Sequence, residues 1–223
     1  MLLRRLLIVA DKSSSMFEKD FEIRFYDENL EYLVNRERDI VEALNIIAAD
    51  DYTNEDLYLQ YQPIICLKTG FVAGFEALAR LRTEKLGFVS PLEFISVAEK
   101  TKLIIPVGEK VIIKAFRFLN KLKERGYDDI NVAINISAIQ LLKPNFSSRL
   151  FELMREMQIN PKNIDIEITE SVFASDFEKI NNIIEKLRDA GLRISIDDFG
   201  TGYSSLARQR ELTIDCLKID KFF

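Results

Sequence analysis

Apolar residues recur along this chain with two different periods, and the rhythm changes near residue 55. Before that point Leu30, Leu33, Val34, Leu44 and Ile47 interleave with Arg and Glu at helical spacing, which predicts one amphipathic connecting helix over residues 28–49. Its charge run reads as a solvated face, and the turn-forming residues Asp50 to Asn54 end it. Further upstream, the alternation from Phe21 to Tyr26 suggests a strand.

After residue 55 the period-2 pattern dominates. Residues 57–62 and 71–76 read as two strands joined as a hairpin through Lys68-Thr69-Gly70. Ser90-Pro91 opens a helix reaching about Thr101, and a longer helix over 107–125 stops at Gly126. Then the units become regular: strand 131–135, helix 146–157, strand 164–168, helix 177–190, strand 192–197, helix 203–211 and strand 216–220. Strands that alternate with helices imply βαβ units and a parallel sheet.

Polar residues close these strands. Glu76, Asn135, Glu167, Asp197 with Asp198, and Lys218 all lie at or near carboxyl ends. A (β/α) barrel brings those ends to one mouth, whereas an open doubly wound sheet gathers ligands only beside its switch point, so five such positions fit a barrel better. Taken singly, each has an ordinary explanation as a helix cap, a turn or a solvated charge; Asp197-Asp198-Phe199-Gly200 alone reads as a turn. Adjacent strand residues point to opposite faces, so Asp197 and Asp198 can converge on one ligand only where the chain is leaving the strand.

Composition narrows the chemistry. The 223 residues, 48% hydrophobic and 30% charged, suit one large globular domain or one domain plus a fragment. A net charge of −5 argues against a binder of bulk nucleic acid. Cys66 and Cys216 support neither a disulfide framework nor a zinc site, and the expected compartment is the cytoplasm. No run of 18 apolar residues occurs, so no membrane contact is expected; the start of the chain imitates a signal peptide, but Arg4 and Arg5 interrupt it. Histidine is absent, which leaves carboxylates, amides and water as metal ligands. Carboxylates from several strands with one Asn oxygen describe a site for a hard cation, Mg²⁺ or Mn²⁺, and the Asp pair could serve two such ions. Lys218 could orient a water or neutralise a phosphate, and Arg80 is suited to a bidentate phosphate clamp. Metal-assisted phosphodiester hydrolysis is one reading; barrel enzymes acting on sugar phosphates or carboxylates remain open.

The stretch Gly74-Phe75-Glu76-Ala77-Leu78-Ala79-Arg80 resembles the EAL-domain family of cyclic di-GMP phosphodiesterases. The likeness continues through Tyr61-Gln62-Pro63-Ile64, Asn135-Ile136-Ser137, Glu167-Ile168-Thr169-Glu170-Ser171, the run from Asp197 to Leu206, and Leu217-Lys218-Ile219-Asp220. It implies a (β/α)8 TIM-like barrel with one antiparallel strand, of which about six of eight strands are counted here. It implies that Glu76, Asn135, Glu167 and Asp197 are metal ligands, that Asp198 serves a second ion, and that Lys218 helps activate water. Gln62, Leu78 and Arg80 match dinucleotide-holding positions. Glu170 matches the residue that steadies the loop after Asp198, through which a homodimer is expected. The implied reaction is hydrolysis of cyclic di-GMP to linear pGpG in bacterial second-messenger signalling.

The resemblance divides the chain into residues 1–30, similar to the tail of a degenerate GGDEF domain, a linker helix over 31–54, and an EAL domain over 55–223. With six strands the domain is expected to be incomplete at its C-terminus. The family's further catalytic Glu and substrate-binding Gln belong to the two uncounted strands, so impaired turnover is expected of this chain. The alternative is an inactive EAL module that binds cyclic di-GMP or a protein partner as a sensor.

Overall fold

The computed structural model describes residues 28–50, 53–174, 176–199 and 213–219, without the side chains of Glu28, Ser171, Ala174, Asp198 and Phe199. The strand expected over 21–26, the helix expected over 203–211 and residues 1–27 of the N-terminal fragment lie outside them.

Helix α1 (Glu28–Ala49) occupies the range that its periodicity predicts. It buries Ile40, Leu44 and Ile47 completely or nearly so in the common core, while Leu33, counted among its apolar positions, is 46% exposed. Part of the charge run is docked rather than solvated. Arg36 forms a bidentate pair with Glu93, and Lys85 reaches both Asp39 and Glu42. Burial of Ile40, Leu44 and Ile47 seats the helix against the body of the domain, and these pairs orient its charged side.

Strand β1 (Leu57–Ile65) runs antiparallel to β2 (Val72–Thr83), as the hairpin reading requires. Strand β2 is twice as long as expected. Beyond Glu76 the alternation continues, with Ala77 and Leu81 buried on the helix side, and the far end of β2 is covered by a short antiparallel strand, β3 (Gly87–Val89). A three-residue strand is too short for period 2 to declare itself. Helices α2 (Pro91–Lys100) and α3 (Ile104–Lys123) follow. The chain turns after α3 at Gly126, which takes φ 83° while Tyr127 donates its N–H back to the Leu122 carbonyl.

The regular units then appear: β4 (Asn131–Asn135), the single turn α4 (Ala138–Leu141), α5 (Phe146–Glu156), β5 (Ile164–Thr169), α6 (Phe177–Asp189), β6 (Arg193–Phe199) and β7 (Cys216–Ile219). The path across the sheet is β1-β2-β4-β5-β6-β7, parallel from β2 onward, with β3 off the side of β2.

The parallel strands are not apolar on both faces, as strands covered on both sides by helices would be. Val132, Ile134, Ile164, Ile166, Ile168, Ile194 and Ile196 are buried toward the helices, at most 1% exposed. The intervening residues Asn131, Ala133, Asn135, Asp165, Glu167, Arg193, Ser195 and Asp197 face the other way, so the inner face is polar apart from Ala133. This is the layout of a TIM-like barrel whose inward positions on these strands are mostly polar.

Candidate metal centre and nucleotide site

The inner face brings the expected residues together in a staggered order. Strand register pairs Glu76 with Ala133, Asn135 with Glu167, and Thr169 with Asp197, so the three carboxylates climb stepwise across the strands. Glu76 stands in the middle of β2 rather than at its end, which corrects the expected strand boundary. Long side chains close the steps. One carboxylate oxygen from each of Glu76, Glu167 and Asp197 lies within 4.8 Å of the other two. Asn135 donates from Nδ2 to Glu76 Oε1 at 3.0 Å, and the Lys218 ammonium donates to Glu167 at 2.8 Å and to Glu76 and Asp197 at 3.2 Å each. Three of the five positions singled out from the sequence, Glu76, Glu167 and Asp197, converge on a fourth, Lys218, and Asn135 joins them through its bond to Glu76.

Burial governs the charge of this cluster. Glu167 is 2% exposed, and desolvation pushes its carboxyl up to about 7 even against the Lys218 hydrogen bond, with Glu76 and Asp197 adding repulsion. The three carboxylates in turn hold Lys218 above its usual range despite its own desolvation. A carboxyl that titrates higher in the folded state contributes stability below its ordinary value of 4.5, and that contribution is lost as pH rises through about 7. For a cation the sign is opposite, because Glu167 must shed its proton before it can act as a ligand. Calorimetric titration of the chain with Mn²⁺ is therefore expected to show affinity falling by up to about tenfold per unit as pH drops below 7, and levelling off above it; an affinity flat from pH 6 to pH 8 would contradict this assignment.

The position of the Asp pair has a structural cause. Between Ile196 and Phe199 the register of β6 against β7 shifts, so β6 carries an extra residue where Asp197 and Asp198 stand. An irregularity of this kind breaks strict alternation and can re-aim neighbouring side chains. The strand continues to Phe199, two residues past the expected end. The Asp198 side chain and the loop 200–206 lie outside the described residues.

The expected nucleotide-holding residues share the same face. Gln62 stands opposite Glu76 in the hairpin ladder, and Leu78 and Arg80 follow Glu76 at steps of two along β2. Arg80 is held by Gln60, accepting its Nε–H at 2.8 Å, and by its own neighbour Ala79 at 3.0 Å. Glu170 opens the short helical turn Glu170–Ala174 after β5 and is 5% exposed.

Three side chains near the site escaped the sequence reading. Asp165 lies beneath Glu167 on the same face of β5, desolvation raises its carboxyl, and Ser195 donates to it at 2.7 Å. The Ile-Asp-Ile-Glu alternation was the available signal. Below the mouth, Gly74, Asp165, Ser195 and Cys216 line an interior cavity of about 210 Å³ that has Glu76, Glu167 and Lys218 in its upper wall. Gln140 was hidden in the run after Asn135: with Ser137 it forms a capping box on α4, fixing the chain as it leaves β4. Its buried amide fills the space where Gly108 lacks a side chain; a Cβ there would lie 1.9 Å from Nε2.

The comparisons with known proteins bear on this arrangement. Residues 47–223 match the EAL domain. The chain belongs to the EAL-domain family. Among relatives in this family, cyclic di-GMP phosphodiesterase PdeR of Escherichia coli is 37% identical over 170 residues, covering 76% of this chain and 25% of its own length. The bifunctional diguanylate cyclase/cyclic di-GMP phosphodiesterase MucR of Pseudomonas aeruginosa is 37% identical over 167 residues, 75% of this chain and 24% of that protein. The chain thus spans about a quarter of the length of these EAL proteins. A solved structure of the PaMucR phosphodiesterase in complex with c-di-GMP superposes with a TM-score of 0.73 at 34% identity, covering 85% of this chain and 72% of that one. The EAL enzyme Bd1971 in its cAMP and cyclic di-GMP bound form gives 0.75 at 30% identity, over 98% of this chain and 56% of that chain.

Proposed function

We propose that this EAL domain hydrolyses one phosphodiester bond of cyclic di-GMP to give linear pGpG, in bacterial second-messenger signalling. The observation that carries the reading is the single point shared by Glu76, Glu167, Asp197 and Lys218, with Asn135 bonded to Glu76. Three carboxylates against one ammonium leave a negative cluster, and an anionic dinucleotide would be repelled from it unless divalent cations intervened. The donor set is hard oxygen throughout, without imidazole or thiolate, which suits Mg²⁺ or Mn²⁺. In this reading Glu76, Asn135, Glu167, Asp197 and Asp198 hold the ions. Bound there, such ions supply the positive charge that makes water a better nucleophile and steadies the departing oxygen.

The chain's own groups position the rest. Arg80 exchanges its contact with Gln60 for the phosphate, Gln62 and Leu78 hold the dinucleotide against β1 and β2, and Lys218 orients the attacking water from the wall of the site. The water oxygen bonds to phosphorus and gives up a proton, one P–O bond of the ring opens, and the released oxygen takes up a proton in its place. Glu170 steadies the loop after Asp198, through which two copies pair. Helix α1 joins the domain to an N-terminal fragment related to GGDEF domains. No helix among the described residues is long and apolar enough to cross a membrane; a cytoplasmic site of action suits the nucleotide substrate.

Incubation of the full chain with cyclic di-GMP and Mg²⁺ or Mn²⁺, resolved by liquid chromatography, is expected to yield pGpG, and chelation or Asp197→Ala to stop it. Binding of the nucleotide without any turnover under either metal would replace the enzyme by a sensor.

A further inference from the structure

We propose that Asp215 is a positioning residue that sets the register of β7 and so aims Lys218 into the site. Strand β7 has four residues, it meets β6 through an irregular register, and its outward side chains Leu217 and Ile219 are 45% and 71% exposed. Apolar packing therefore contributes little to fixing it among the described residues. A slip of one residue would turn Lys218 from the inner face to the outer one.

What opposes the slip is a clamp at the start of the strand. Ile194 of β6 turns both backbone groups toward β7, one residue before Cys216 pairs with Ser195. The Asp215 N–H donates to the Ile194 carbonyl at 2.9 Å, and the Ile194 N–H donates to Asp215 Oδ2, also at 2.9 Å. A side-chain carboxylate thus stands where the ladder would otherwise offer a carbonyl. Arg188, in the last turn of α6, grips the same carboxylate through Nε and Nη2 at 2.9 to 3.2 Å. Because α6 is anchored by Ile180, Ile184 and Leu187, all fully buried, the clamp ties β7 to the helix layer as well as to β6. Desolvation works against the ionised form, but Arg188 and the Ile194 N–H outweigh it and keep the carboxyl below its usual range. Three residues farther on, Lys218 reaches Glu167, Glu76 and Asp197.

The activity arm of the test rests on the phosphodiesterase reading; the others do not. In the full chain, Asp215→Ala is expected to lower kcat by about 10²-fold with KM little changed, as a misplacement near 1 Å would. In a Lys218→Ala background the same substitution is expected to lower it by less than about twofold, because residues acting as one unit are not additive. Asp215→Asn, which keeps an acceptor for Ile194 and loses the ion pair, is expected to fall between and guards against a variant that does not fold. Without activity, Mn²⁺ calorimetry reads the same coupling: Asp215→Ala shifts affinity in the direction of Lys218→Ala and adds nothing to it. Amide exchange read by mass spectrometry is expected to speed up in residues 213–219 while β4 and β5 keep wild-type protection. Equal losses in both backgrounds, unchanged exchange at 213–219, or faster exchange spread over all strands would overturn the assignment. If the wild-type chain releases no pGpG, the phosphodiesterase reading fails, and the exchange result still decides the role of Asp215.

Discussion

Replacing Glu167 by glutamine is expected to remove cyclic di-GMP hydrolysis, by about 10³-fold or more, while leaving the fold as stable as before or more so. The activity estimate exceeds the roughly 10- to 100-fold that loss of a mere outer partner costs a metal site, because Glu167 is the innermost of the three carboxylates. The stability half follows from electrostatics. Carboxylate oxygens within 4.8 Å of one another repel by roughly 3 kcal/mol per ionised pair at an effective dielectric constant of about 20. Lys218 offsets part of this, yet it is one cation among three anions, and Glu167 is desolvated as well. Glutamine keeps the shape and can still accept from Lys218, while Glu76 and Asp197 continue to pair with that ammonium. Metal-free thermal unfolding should therefore show an unchanged or higher Tm for Glu167→Gln. A fall of the size produced by a core truncation such as Phe116→Ala, about 3–5 kcal/mol, would mean that Glu167 is a structural residue.

The same electrostatics explain which parts of the molecule could be read from the sequence. Wherever one face of a strand is apolar and the other polar, period 2 is written into the chain, and strands β4, β5, β6 and β7 begin within one residue of their expected starts. Their inward polar residues could be listed because alternation fixes the face, and that face supplies Glu167, Asp197 and Lys218. Alternation does not fix height. The stagger that places Glu76 level with Ala133, two residues below Asn135, belongs to the pairing between strands. Strand β2 runs seven residues past the expected end at Glu76 although its alternation continues there, because Ala77, Ala79 and Leu81 read as well in a helix when the covering strand β3 is only three residues long. Asp215 and Arg188 are 27 residues apart, and Asp165 and Ser195 are 30 apart. Such pairs exist only through the packing of elements distant in sequence. The Asn135-Ile136-Ser137 stretch combines both cases: Asn135 was legible as a strand end, whereas the cap made by Ser137 and Gln140 needs the turn geometry of α4.

Replacing Lys218 by alanine should give the mirror image of the Glu167 result, and the comparison of the two separates binding of the cation from use of it. Lys218 is the one cation bonded to all three carboxylates among the described residues, so the metal-free protein loses a charge that offsets all three and its Tm should fall. Breaking a buried pair by removing one partner costs up to about 3–5 kcal/mol, and the 30% exposure of this side chain places the effect well below that limit. A divalent cation can supply the missing charge. Mn²⁺ is therefore expected to bind Lys218→Ala more tightly than wild type, by about tenfold for each 1.4 kcal/mol of competition removed. A ligand that favours the folded state raises its stability by mass action, so the Tm of Lys218→Ala should climb steeply with added Mn²⁺, while that of Glu167→Gln should hardly move. Turnover separates the two variants differently. Lys218→Ala is expected to hold metal and nucleotide and yet lose about 10²- to 10³-fold in kcat, the scale for a group that stabilises developing charge. Parallel Mn²⁺ titrations of the three proteins, read by Tm and by pGpG release, would distinguish the roles. Tight Mn²⁺ binding with wild-type kcat in Lys218→Ala would leave the ammonium only its part as the counter-charge of the metal-free cluster.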